Sequence, residues 1–267
     1  MLPAVDQLPA GALGRSSGHG GGAAHLASAS GSAPDAQAAR PRRLATLGIV
    51  KLLLTSSGLS DQPTCDALVA LSGRPLADQR VAVVPTAANV VPGDKGWLVA
   101  DYLQVQRAGF AALDIVDVSA LEPAVWRSRL EEADVLVVTG GDTTHLLRWL
   151  RRSGMADDLP TLLRDRVYVG ISAGSMVTGP HLRLSQSPQP EPEDSRGLGL
   201  VDFLVVPHLD SPWFPAAAES AVRAALAGLA HRTFALADGR AVAVDGTEVR
   251  VVGTGRHLDL VGGAGPG

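Results

Sequence analysis

The sequence predicts an α/β chain built on a doubly wound, mainly parallel sheet with a C-terminal β-meander. Short, almost continuous apolar runs recur along it, as strands covered on both faces require. Segments with helical spacing separate those runs, which is the signature of strand–helix alternation. One run, Val167-Tyr-Val-Gly-Ile171, stops abruptly at the small-residue turn Ser172-Ala-Gly-Ser175.

Met1 to Arg43 is dominated by Gly, Ala, Ser and Pro, with apolar residues scattered without period. Residues 1–45 are therefore expected to form a disordered tail, and residues 50–267 a single domain. The tail has no continuous apolar h-region, although Ala27-Ser-Ala-Ser30 resembles a signal cleavage site. Val50-Lys-Leu-Leu-Leu-Thr-Ser-Ser-Gly58 reads as a natural beginning, so translation is expected to start at Val50 rather than at Met1.

From there the expected strands are Lys51–Thr55, Arg80–Val84, Leu113–Val118, Asp134–Thr139 and Val167–Ile171, with a sixth over Phe203–His208. Pro63 to Leu71 reads as a helix. Trp97, Val99, Ala100, Leu103 and Val105 predict a second, ended by Gly109. Pro123 to Ala133, Thr144 to Ser153 and Pro215 to Ala230 are further helices; in the second of these Leu146, Leu147 and Leu150 share a face. Thr233 to Thr254 reads as the meander, turning at Asp238-Gly239 and Asp245-Gly246. In such a sheet, chemistry gathers at the carboxyl ends of the strands.

Composition bounds the function classes. The chain has 267 residues, is 46% hydrophobic and has a mean hydropathy of +0.16, enough to bury a substantial core. Its net charge is only -4 and its 23 basic residues form no long run, so nucleic acid is not an expected partner. No apolar run approaches the ~20 residues that span a bilayer. A single cysteine, Cys65, excludes an internal disulfide and fits a reducing, cytoplasmic compartment. Its place in a helix makes it a packing residue.

Three carboxyl ends carry the candidate chemistry. Gly170-x-Ser172-x-Gly174 has the pattern of a nucleophile elbow, where side chains flanking the strained serine would clash with neighbouring chain. The alternative is that Ser172 or Ser175 only caps a helix. Thr139-Gly-Gly-Asp-Thr-Thr144 follows the fourth strand; its N–H groups can face an oxyanion, or Asp142 or Thr143 can serve as an ordinary N-cap. His208 ends the sixth strand on the same sheet edge, either as a base or as a structural histidine. His145, His181, His231 and His257 have no ligand spacing, so no metal or other cofactor is expected.

Gly140-Gly-Asp-Thr-Thr-His-Leu-Leu147, then Gly170-Ile-Ser-Ala-Gly-Ser175, then Gly197-Leu-Gly-Leu-Val-Asp-Phe203 closing on Pro207-His208, together resemble the S51 family of serine peptidases, which includes dipeptidase E and cyanophycinase. The resemblance runs from about Val50 to the C-terminus. It implies a class I glutamine amidotransferase-like fold, a flavodoxin-like three-layer arrangement with serine where the amidotransferases carry cysteine. It also implies Ser172 as nucleophile, His208 as general base, and the amides of Ala173 and the Gly140-Gly141 turn as oxyanion donors, with Asp142 beside them at the substrate.

In dipeptidase E the triad acid lies in the segment after the elbow, but Leu184-Ser-Gln-Ser187 holds no acid here. Glu191, Glu193 and Asp194 lie beyond it, and Asp210 follows the histidine. Asp210 is the expected orienting acid, because His208-Leu-Asp210 reproduces the His-x-Glu spacing of the related amidotransferases. In an extended strand, residues i and i+2 also face the same way. Alternatively, Asp210 only caps the turn before Ser211-Pro212. The arginine that would hold an aspartyl substrate has Arg223 as its nearest counterpart, then Arg183 and Arg196. The reading is thus a serine hydrolase of short peptides or small amides, as a monomer or a homodimer. A catalytically silent small-molecule binder of the same fold is the alternative, whereas an amidotransferase would need cysteine at position 172.

Overall fold

Leu52 and Leu54 look to one side of strand β1 (Lys51–Thr55) and Leu53 to the other, and both sides are apolar cores. All three are fully buried, each worth roughly 1.5–3 kcal/mol relative to exposure. The same alternation holds for β2 (Arg80–Val84), where Ala82 and Val84 join the first core and Val81 and Val83 the second. β4 (Val135–Val138) divides Leu136 and Val138 from Val135 and Val137 in the same manner. Two cores on a period of two explain why these strands read as unbroken apolar runs.

The computed structural model describes residues 50–185, 187, 195–227 and 229–261. All lie within one compact unit, Arg42–Gly267. The expected tail over residues 1–45 and the candidate acids Glu191, Glu193 and Asp194 fall outside the described residues.

The main sheet has seven strands in the order β3-β2-β4-β5-β1-β8-β9, where β3 is Ala112–Ile115, β5 Val167–Ile171, β8 Arg240–Asp245 and β9 Glu248–Gly253. The first five are parallel; β8 and β9 add as an antiparallel hairpin on β1. The first core lies beneath α3 (Pro123–Glu131), α4 (Thr143–Arg152) and α5 (Met155–Leu162), with Trp126, Leu146, Leu147, Leu150 and Leu159 in it. The second is covered by α1 (Gln62–Ser72) and α2 (Gly96–Arg107) through Leu68, Leu71 and Val105. This is the predicted three-layer α/β architecture.

The C-terminal region departs from the expected meander. β7 (Thr233–Leu236) does not pair with β8. It belongs to a second, three-stranded sheet, parallel to β6 (Leu204–Val206) and antiparallel to β10 (His257–Leu260). Phe203, Val205, Phe234 and Leu236 face the main core, while Leu204, Val206 and Ala235 face a third cluster under α7 (Glu219–Ala225) through Val222. Phe203 and Phe234 meet edge to face at 5.0 Å, joining both strands to the core. Asp238-Gly239 is therefore the link between two sheets, while Asp245-Gly246 does turn the β8–β9 hairpin.

Candidate active site

Ser172 stands between β5 and the short helix α6 (Ala173–Met176) with φ 49° and ψ -106°, a conformation that non-glycine residues rarely adopt. Its flanking glycines are required by space. A Cβ on Gly170 would lie 2.6 Å from the Ser175 nitrogen, and one on Gly174 would lie 2.1 Å from the Val138 oxygen. The elbow is pinned from β1: Ser172 N–H donates to the Thr55 carbonyl at 3.1 Å, and the Ser175 hydroxyl donates to that same oxygen at 2.8 Å. Ser175 is thus structural, and the Ser172 side chain makes no capping bond.

The Gly140-Gly141 turn passes beside the serine. A Cβ on Gly140 would sit 3.3 Å from the Ser172 Cβ, and Gly141, at φ 133°, leaves no room for one because the Ala87 oxygen would be 2.3 Å away. Asp142 faces elsewhere. Its carboxylate accepts from the His145 N–H at 2.7 Å as the N-cap of α4, and its own N–H donates to Ala87 at 2.9 Å. Ala173 opens α6 directly after the serine; the Ser175 and Met176 N–H groups donate to the Ser172 carbonyl at 2.9 and 3.0 Å.

His208 follows β6 at φ 60°, with only 15% of its side chain exposed. Its Nε2 lies 3.0 Å from the Ser172 Oγ, and its Nδ1 lies 2.8 Å from Oδ1 of Asp238. The ring stacks on Phe214 at 4.3 Å, nearly parallel. Ser56, fully buried after β1, ties this arrangement together: it accepts from the His208 N–H at 2.8 Å and donates to Asp238 Oδ1 at 2.8 Å. The His208 ring bonded to Asp238 holds that carboxyl below the ordinary aspartate value; partial desolvation opposes this and the Ser56 hydroxyl reinforces it.

Asp210 is not at the histidine ring. The chain leaves the extended conformation after Val206, and both His208 and Asp210 have positive φ, so the rule that places i and i+2 on one face no longer applies. Asp210 Oδ1 instead accepts from the Glu219 N–H at 2.9 Å, and its other oxygen pairs with Arg256, which also holds Glu219. The carboxylate in contact with the His208 ring is thus Asp238, thirty residues on, and not Asp210. In the sequence Asp238 reads as a turn residue, since Asp-Gly between apolar alternations is the strongest short-range hairpin signal. The signal that would have found it is topological: β7 runs parallel beside β6, so the ends of both strands reach the same edge.

Two cavities flank the Ser172–His208 pair. The smaller, about 60 Å³, is bounded by Thr143, Met176, Leu184 and Ser187. The other, about 420 Å³, opens toward α2 and is bounded by Ser56, Trp97, Asp101 and Gln104. A larger cavity of about 650 Å³ beside Cys65 and Arg107 includes neither Ser172 nor His208. Arg183, Arg196 and Arg223 line neither cavity at the pair; Arg223 is engaged with Glu219 at 2.8 Å.

The Peptidase family S51 model matches residues 52–252, three quarters of the chain and every residue of the constellation above. The chain belongs to peptidase family S51. An uncharacterized peptidase of Pasteurella multocida strain Pm70 is 29% identical over 185 residues, 65% of this chain and 84% of its own length. Peptidase E of Streptomyces coelicolor is 39% identical over 87 residues, and Peptidase E of Shewanella amazonensis 37% over 113; these matches span 36% and 46% of those proteins. The structure of a putative peptidase E protein from Listeria monocytogenes EGD-e superposes with a TM-score of 0.65 at 22% identity, covering 78% of this chain and all of that one, which shows a shared fold. S51 membership supports a peptidase, and hence a hydrolase. No helix among the described residues is long and apolar enough to cross a membrane.

Proposed function

We propose that this S51 member is a serine-type peptidase that hydrolyses short peptides through an acyl-enzyme, with Ser172 as nucleophile, His208 as general base and Asp238 as orienting acid. The observation that carries this reading is the unbroken contact line from Ser172 Oγ to His208 Nε2 at 3.0 Å and from His208 Nδ1 to Asp238 at 2.8 Å.

A serine hydroxyl is a weak nucleophile until a base takes its proton. Asp238 keeps the proton of neutral His208 on Nδ1, leaving Nε2 free to accept the one from Ser172. Oγ then attacks the scissile carbonyl carbon, and the carbonyl electrons move onto oxygen. The N–H groups of Ala173 and of the Gly140-Gly141 turn are the donors for that oxyanion, each worth roughly 3 kcal/mol in the transition state. As the intermediate collapses, Nε2 delivers its proton to the departing amine and the C–N bond breaks. Water, deprotonated by the same nitrogen, then releases the acid and regenerates the Ser172 hydroxyl. Strain at Ser172 serves this chemistry by holding Oγ clear of the helix and facing the imidazole.

The test is labelling with a fluorophosphonate probe followed by peptide mapping. Modification of Ser172 that disappears in His208→Ala is the expected result. If the intact chain cleaves no dipeptide of a broad library and takes no label, it is instead a silent member of the fold that binds a small molecule.

A further inference from the structure

We infer that Asp101 and Gln104 form a cation-recognising subsite of the 420 Å³ cavity, which takes a substrate residue bearing an ammonium or guanidinium group. For what is cleaved, the inference rests on the peptidase reading above; for what is bound, it does not.

Both residues lie on α2, three positions apart and so on one helical face, and both line the cavity that contains Ser172 and His208. Both present oxygen acceptors without a donor. Gln104 Oε1 is buried and unpartnered, and among the described residues the Asp101 carboxylate has no hydrogen bond or ion pair. A buried acceptor such as Gln104 Oε1 is costly unless a bound group donates to it, and the Asp101 carboxylate is half-buried beside it on the same helical face. Burial pushes the Asp101 carboxyl up to about 7, the behaviour of an acid that lacks a counter-charge; a cation beside it would restore the carboxylate.

The rest of the wall agrees. Val91, Trp97, Ala100 and Ile171 provide apolar surface for the methylene stem of a long basic side chain; the Trp97 ring already has the Lys95 ammonium 5.7 Å from its centroid. The nearby Lys95 does not supply the missing charge, since its ammonium donates to the carbonyls of Ala88 at 2.7 Å and of Val91. An anionic substrate side chain would meet Asp101 instead of an arginine, because Arg183, Arg196 and Arg223 all lie outside this wall.

The experiment is calorimetric titration of the full chain carrying Ser172→Ala with four compounds: lysyl-alanine, norleucyl-alanine and the Nα-acetyl form of each. Norleucine keeps the stem of lysine and removes its charge. Lysyl-alanine binding roughly tenfold tighter than norleucyl-alanine, with the preference kept after acetylation, assigns the subsite to a basic side chain. Equal binding of the two free dipeptides with loss on acetylation assigns it to the α-ammonium. In either case Asp101→Asn removes the preference. Equal affinity for all four, binding of none, or a preference that survives Asp101→Asn overturns the inference. The ligand series decides the matter even if Asp101→Asn fails to fold. Failure of the peptidase reading is separate: an unlabelled Ser172 with an intact cation preference sinks the mechanism alone, and a labelled Ser172 without one sinks the subsite alone.

Discussion

Ser56 and Asp238 lie 182 positions apart, and the serine hydroxyl donates to the same carboxylate oxygen that His208 Nδ1 contacts, at 2.8 Å in each case. With its own oxygen accepting from the His208 backbone, Ser56 fixes both His208 and Asp238. Ser56→Ala removes a buried hydrogen bond to a charged group, which is worth roughly 1.5–3 kcal/mol, so kcat is expected to fall about 10–100-fold with KM little changed. Ser56→Thr should recover part of the loss. A KM effect without a kcat effect would assign Ser56 to the substrate instead.

Asp238→Asn is expected to lower kcat by at least two and up to about four orders of magnitude, because the asparagine favours the wrong imidazole tautomer. Asp210→Asn should cost far less, since that carboxylate holds Arg256 and the start of α7 rather than the ring. Steady-state kinetics of the two variants ranks them; the opposite order would return the acid to position 210.

The depressed value at Asp238 has a pH consequence with a definite sign. A carboxyl held below its unfolded value contributes stability that is fully present above about pH 4 and is lost as pH falls through the lowered folded value. The difference in thermal midpoint between the chain and Asp238→Asn should therefore be constant near neutrality and narrow below about pH 4. A difference that widened in acid would contradict the assignment of the bond.

Gly174→Ala places a methyl group 2.1 Å from the Val138 carbonyl oxygen, a backbone atom that cannot step aside without moving β4. Overpacking of this kind costs roughly 1–3 kcal/mol, and here it also displaces the elbow. Chemical denaturation should show a loss in that range, and Ser172 labelling should fall with it. Gly73→Ala is a useful contrast: Gly73 has positive φ and open space around it, so only backbone strain is expected there.

Much of this was legible from residue pattern. The runs 51–55, 80–84 and 167–171 coincide with β1, β2 and β5, because strands buried on both faces leave an unbroken apolar signal. Ser172 and His208, which the fold brings within 3.0 Å of each other, stand out in the sequence for a related reason, since each follows such a run at its carboxyl end. α5 was missed: Met155–Leu162 contains Pro160 and two adjacent aspartates, which locally favour a loop, and its helix is held by Met155, Leu159 and Leu162 in the core. The second sheet was missed because alternation with period two specifies a strand without naming its partner. The expectation of Asp210 over Asp194 and the Glu191 and Glu193 loop assumes that the strand continues past Val206, and the positive φ of His208 is a tertiary outcome that no local pattern announces.

Asp238 occupies the crossing between the two sheets, and that position ties chemistry to the order of assembly. Ser172 comes from the seven-stranded sheet, His208 from the end of a strand in the three-stranded one, and Asp238 from the linker that joins them. A chain with its large sheet formed and its small sheet still detached holds a serine with neither imidazole nor carboxylate beside it. On the proposed mechanism such a molecule has no base to activate the serine. Reactivity at Ser172 then becomes a report that the last piece of the architecture has locked into place.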